Sequence, residues 1–149
     1  MERAIMNNEG KSPFYCFIRG TSMLPFLRGG MIVEIEKRQM LDIGDIAVYK
    51  WENGYFGHRV IRISHSPVTL YEIKGDTIEK SDGWFTQKEI IGVVTGILVS
   101  NKTCGIQSSA MRQFQRVIAF CSRTHLLRYV PVVHLISFAY RLILRQNET

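Results

Sequence analysis

From Phe14 to Leu98 the apolar residues fall in short runs, rich in β-branched and aromatic types and separated by Gly, Asp, Asn and Ser. That texture predicts strands joined by tight turns rather than helices. Six strands are expected, over Phe14–Arg19, Met31–Lys37, Ile46–Trp51, Phe56–Ile63, Val68–Lys74 and Ile90–Leu98. The turns fall at Arg28-Gly29-Gly30, Ile43-Gly44-Asp45, Glu52-Asn53-Gly54, His65-Ser66-Pro67 and Ser81-Asp82-Gly83. Asn53-Gly54 is the strongest hairpin signal, because both residues tolerate the positive φ that a two-residue turn demands.

After Ser100 the period changes to that of a helix. Phe114, Val117, Ile118 and Cys121 fall on one face and Arg112, Arg116 and Arg123 on another. A second apolar stretch, Leu126 to Leu144, has nearly the length of a membrane span but carries Arg128, Pro131, His134 and Arg141. Those residues make a span costly and favour an interfacial or protein-packed helix. The expected organisation is a β domain over 1–100, a linker at 101–107 and a helical tail to residue 149.

Composition fits one buried core: of 149 residues, 46% are hydrophobic and 21% charged. The net charge of +6 is unevenly placed. Residues 1–100 hold 12 basic and 12 acidic groups, whereas residues 101–149 hold 7 and 1. A phosphate-gripping domain would carry the excess on its main body, so no nucleic-acid partner is expected. Three cysteines, Cys16, Cys104 and Cys121, show neither Cys-x-x-Cys nor paired Cys/His spacing, which argues against a disulfide framework or a zinc site and for a reducing compartment. Met1 to Lys11 is polar and lacks the apolar run of a secretory signal or membrane anchor.

The candidate chemistry begins at Gly20-Thr21-Ser22-Met23-Leu24-Pro25. A serine becomes a nucleophile when a base lies within hydrogen-bond reach and backbone N–H groups can hold the developing oxyanion; flanking Gly and Pro favour the sharp bend that exposes such amides. Three more segments follow in order: Ile43-Gly44-Asp45-Ile46, Gly57-His58-Arg59-Val60-Ile61, and Lys74-Gly75-Asp76 with Asp82 six residues on. Histidine can take a serine proton near neutrality, with an ordinary pKa of ~6.5, and needs a carboxylate on its other ring nitrogen to fix the tautomer. On the strand Phe56–Ile63, period two puts Phe56, His58, Val60 and Arg62 on one face, a partly apolar wall that shields a hydrogen bond.

Over roughly residues 14–98 this ordered set resembles the superfamily of type I signal peptidases and LexA-like autoproteases, with its Ser-Met-x-Pro, Gly-Asp-Ile/Val, base, and Gly-Asp followed by a downstream Asp. His58 at the base position matches the histidine branch found in endoplasmic-reticulum, archaeal and sporulation-type signal peptidases. The resemblance implies a mainly β fold of short antiparallel strands with a C-terminal helical tail. It implies Ser22 as nucleophile, His58 as general base and Asp82 as orienting carboxylate, with Asp76 as the alternative. Gly20, Thr21, Met23 and Pro25 are the implied substrate-binding neighbourhood, and no metal or organic cofactor is called for.

The expected activity is serine endopeptidase cleavage of a leader or signal-like peptide in a peptide or preprotein substrate. Two alternatives accompany it. A LexA- or UmuD-like self-cleaving regulator calls for a lysine base and an Ala-Gly-type cleavage site, neither of which this sequence has; a non-catalytic module would bind peptide along a strand edge. The basic tail implies either peripheral contact with an anionic membrane through residues 112–145 or helices that pack on the β domain and leave their arginines in water. The expected location is cytoplasmic or peripheral to a membrane, the alternative being an anchor through 126–144.

Overall fold

A computed structural model describes residues 6–7, 13–51, 54–99, 101–128 and 130–146. Among the described residues nine strands form one antiparallel sheet: β1 (Met6–Asn7), β2 (Phe14–Phe17), β3 (Ile32–Glu36), β4 (Ile46–Trp51), β5 (Gly54–Ser64), β6 (Leu70–Lys74), β7 (Gly83–Thr86), β8 (Ile90–Val99) and β9 (Lys102–Gly105). Their order is β1-β2-β3-β8-β4-β5-β6-β7, with β9 paired to β8. Helices α1 (Ser109–Arg123) and α2 (Val130–Gln146) follow, so the fold is mainly β with a C-terminal helical segment.

β4 and β8 lie inside the sheet, and the period of two divides their side chains between two apolar layers. Ile46, Val48, Val94 and Ile97 join one layer with Phe14, Phe26, Leu27, Val33 and Ile35. Ala47, Tyr49 and Val93 enter the other, with Val60, Tyr71, Ile73 and Phe85. Hydrophobic runs such as Ile46-Ala47-Val48-Tyr49 are what two buried faces require.

The first layer continues across residue 100. Ile106, Met111, Ile118, Cys121, Leu127 and Ile136 belong to the same cluster as the sheet residues, so α1 covers one face of the sheet. Ser108 caps α1 by accepting the N–H of Met111 at 3.4 Å. Gly44, at φ +100°, lies so close beneath the helix that a Cβ there would come within 2.8 Å of the Gln115 carbonyl carbon. Only glycine satisfies both the left-handed backbone and the approach.

Several local expectations change. Residues 101–107 are not a linker: Lys102–Gly105 forms β9, a polar edge strand after a turn at Asn101, φ +66°. β1 and β7 are additional strands, each too short to show a period. On α1 the buried face is Met111, Gln115, Ile118, Ala119, Cys121 and Ser122, whereas Val117 is 54% exposed. Arg62 does not share the His58 face, because a bulge between Val60 and Arg62 turns it to solvent and brings Ile63 toward the second layer. β4 and β5 form the expected hairpin with Trp51 opposite Gly54, which places Gly54 in the strand; Glu52 and Asn53 of the turn lie outside the described residues. Among the described residues, no helix is long and apolar enough to cross a membrane.

Because both tryptophans, Trp51 and Trp84, sit on the sheet, their fluorescence tests whether α1 and the sheet fold as one unit. Ile118→Ala, at a fully buried helix position, is expected to lower the stability reported by tryptophan in a urea titration by about 2–5 kcal/mol. An unchanged tryptophan midpoint would show that the helix folds apart from the sheet.

Candidate active site

Three chain segments converge at the edge of the second layer. Ser22 lies in the turn between β2 and β3, His58 on β5, and Asp82 just before β7. The Ser22 hydroxyl is 2.9 Å from Nε2 of His58. On the other side of the ring, Nδ1 is 2.7 Å from a carboxylate oxygen of Asp82. A neutral imidazole in this setting donates its Nδ1 proton to Asp82 and offers an unprotonated Nε2 to the serine.

His58 is buried, and its ring meets Tyr49 and Phe56 edge-on at 6.3 Å and 6.1 Å between centroids. Asp82 is held by its own N–H, which donates to the carbonyl of Ile73 at 2.8 Å, and 22% of its side chain is exposed. The aromatic side of the ring is dry and the carboxylate side is partly wet, a difference that strengthens the inner hydrogen bonds.

Asp76 does not reach the imidazole. Its carboxylate faces Arg59, which donates from Nε at 2.9 and 3.1 Å and from Nη2 at 2.7 Å. Both side chains are fully buried. The remaining guanidinium nitrogen, Nη1, donates to the carbonyl of Gly44 at 2.9 Å, and the cation stands 5.0 Å from the Phe26 ring centroid. Arg59 therefore ties together the turn at 75–77, the Gly44-Asp45 turn and the segment carrying Ser22 and Phe26.

The turn after β6 completes the support. The Thr77 N–H donates to the Ser22 carbonyl at 2.9 Å, and the Thr77 hydroxyl donates to the Thr21 carbonyl at 3.2 Å. A Cβ on Gly75 would meet Ile78 at 2.7 Å and Nε2 of His58 at 3.3 Å. The Gly-Asp pair thus lets the chain pass close to the imidazole while Asp76 anchors the turn from below. Gly44 and Asp45 bond to β5 in a similar way, through Gly44 N–H to the Val60 carbonyl at 2.9 Å and Val60 N–H to the Asp45 carbonyl at 2.8 Å.

A cleft beside Ser22 is walled by Cys16, Ile18, Gly20, Met23, Val48 and Gly57. Gly20 and Met23 thus reach it, whereas Thr21 and Pro25 lie outside its wall. Burial pushes the Cys16 thiol up to about 11, which keeps it protonated and a poor nucleophile. All three cysteines are free. Among the described residues, no group of three or more His, Cys, Asp or Glu side chains is placed to hold a metal ion.

The two aspartates should differ in what they cost the fold. Asp76→Ala strands a fully buried arginine and is expected to destabilise by about 3–5 kcal/mol in urea unfolding. Asp82→Ala, at a partly exposed site, should shift the midpoint much less; equal losses would show that the burial difference does not govern stability here. Compared with protein-family models, curated proteins and solved structures, the chain matches none of them.

Proposed function

We propose that the chain is a serine endopeptidase of the signal peptidase I-like kind, its histidine-base form, which cleaves a leader or signal-like peptide. The observation that carries this reading is the continuous line from the Ser22 hydroxyl through both ring nitrogens of His58 to Asp82, at 2.9 and 2.7 Å. The order of the four motifs along the chain supports it as well.

In this mechanism Nε2 of His58 takes the Ser22 proton as Oγ bonds to the scissile carbonyl carbon. The carbonyl oxygen becomes an oxyanion, received by the Ser22 N–H; Gly20, two residues earlier, adds no side-chain hydroxyl. The imidazolium, stabilised by Asp82, returns the proton to the leaving amine, and the C–N bond breaks to give an acyl-enzyme. Water, deprotonated by the same nitrogen, then releases the acyl group and restores the serine. The apolar cleft beside Ser22 suits a small side chain before the scissile bond, and no cofactor enters any step.

A mixture of defined peptides read by mass spectrometry tests the activity. Cleavage after small residues is expected, with Ser22→Ala and His58→Ala each slowing it by roughly 10⁴-fold or more while the tryptophan signal stays native. Cleavage that survives Ser22→Ala would overturn the mechanism. The mass of the protein itself should stay intact on incubation, since two fragments would point to a self-cleaving regulator instead.

The helices supply a second contact in this proposal. α1 exposes Val117 and Phe120 beside Arg116 and Arg123, and α2 exposes Leu135, Phe138 and Leu142 beside Arg141. Apolar and cationic side chains in alternation fit the boundary of an anionic bilayer. Co-sedimentation with phosphatidylserine vesicles is expected, and it should fall with added salt and with Val117→Ser/Phe120→Ser; no sedimentation of the unaltered chain removes the membrane contact.

A further inference from the structure

Tyr49 is the one residue of the aromatic wall that brings a hydroxyl to the catalytic line. It lies on β4 opposite Phe56, while His58 is opposite Ala47, so cross-strand register places Tyr49 diagonally beside His58 on the same face. The side chain is 1% exposed. Its ring is 4.4 Å from that of Phe85, three residues beyond Asp82, and stacks with Phe56 at 6.2 Å. The hydroxyl oxygen lies 3.3 Å from Nδ1 of His58.

Nδ1 already donates its single proton to Asp82, so it has no lone pair left for the tyrosine. The Asp82 carboxylate adjoining that nitrogen is the acceptor open to the phenol proton. Burial, together with the charge of that carboxylate, pushes the phenol well above its ordinary range, so the hydroxyl stays protonated and remains a donor. Asp82 thus accepts from the imidazole and has the phenol hydroxyl beside that bond, while part of its side chain faces water.

Resting on the serine-peptidase reading above, we infer that Tyr49 is a positioning residue of the Ser22–His58–Asp82 line: its hydroxyl fixes the Asp82 carboxylate on Nδ1 and keeps water from that edge of the ring. It touches no reacting atom. Its effect runs through the orientation of the carboxylate and through the share of carboxylate charge that the imidazolium feels. Packing against Phe85 and Phe56 holds the hydroxyl in place at little cost in mobility, because a tyrosine ring has only two rotatable bonds.

Tyr49→Phe deletes the hydroxyl and keeps the ring. Acylation of Ser22 by p-nitrophenyl acetate, with the Ser22→Ala rate subtracted, reports the line without a known peptide substrate. The expected result is a plateau rate lower by about tenfold, since a small misplacement of a catalytic group costs one to two orders of magnitude. The acid limb of the rate–pH profile should also move to higher pH, because a carboxylate without the phenol donor places its full charge on the imidazolium and holds that proton longer.

Tyr71→Phe is the matched control. Tyr71 is equally buried in the same apolar layer, but its hydroxyl bonds the Leu41 N–H at 3.4 Å. That variant should leave plateau and limb unchanged. An unaltered profile in Tyr49→Phe, or the same loss in Tyr71→Phe, overturns the inference. Absence of Ser22-dependent acylation in the unaltered chain would count against the peptidase reading instead. In that case the Nδ1 proton resonance of His58 decides about Tyr49: it should broaden by exchange with water in Tyr49→Phe, and an unchanged resonance overturns the positioning role.

Discussion

The buried ion pair between Arg59 and Asp76 is the constraint on which the rest of the arrangement depends. A guanidinium with no exposed surface is tolerable only when its donors are matched, and here Asp76 and the Gly44 carbonyl are both in reach. Meeting that demand fixes two turns against β5 and puts the Phe26 ring against the cation. The segment carrying Ser22 is held by the same turn, through Thr77 to the carbonyls of Thr21 and Ser22. A buried charge thereby supports, from behind, the approach of Ser22 to His58.

His58 and Arg59 are consecutive, so the alternation of a strand sends them to opposite faces. The imidazole enters the aromatic layer of Tyr49, Phe56 and Phe85, and the guanidinium enters the layer roofed by α1. Lys74, opposite Arg59 in register, shares the second destination and donates to the hydroxyl of Ser122 on α1 at 3.1 Å. In the proposed mechanism, proton transfer falls to one face and mechanical support to the other. Both depend on the register of β5 against β4 and β6, since a slip of one residue would exchange their roles.

Much of this was legible in the chain. Ile46–Trp51 is legible to the residue, because a strand buried on both faces is a continuous apolar run bounded by turn signals. β7 is not, for among its four residues only Phe85 points into the core; β9 leaves no signal because an exposed edge strand needs no apolar residues at all. Gln115, Ser122 and Lys74 are buried against the expectation that polar groups stay in water, and each has a partner that only the folded chain supplies. The resemblance implies Asp82 with Asp76 as the alternative, and both follow the same strand closely; it is Asp82 that meets the imidazole, while Asp76 is occupied by the buried Arg59. Tyr49 could have been reached from the sequence by extending the Asn53-Gly54 hairpin, because that pairing brings residue 49 beside residue 58.

The roofing of one sheet face by α1 has a consequence for how such a chain can change over evolutionary time. Val117 and Phe120 of α1 and Leu135, Phe138 and Leu142 of α2 face solvent, whereas the hidden side of α1 is bound to Gly44, Lys74 and the apolar layer. Substitutions on the outer surface are free to change what meets solvent while the Ser22–His58–Asp82 line stays intact. Substitutions on the inner surface reach that line from behind. One helix is thus both a variable outer surface and a fixed structural brace, and which of the two a given residue serves is decided by a rotation of about 100° per residue around its axis.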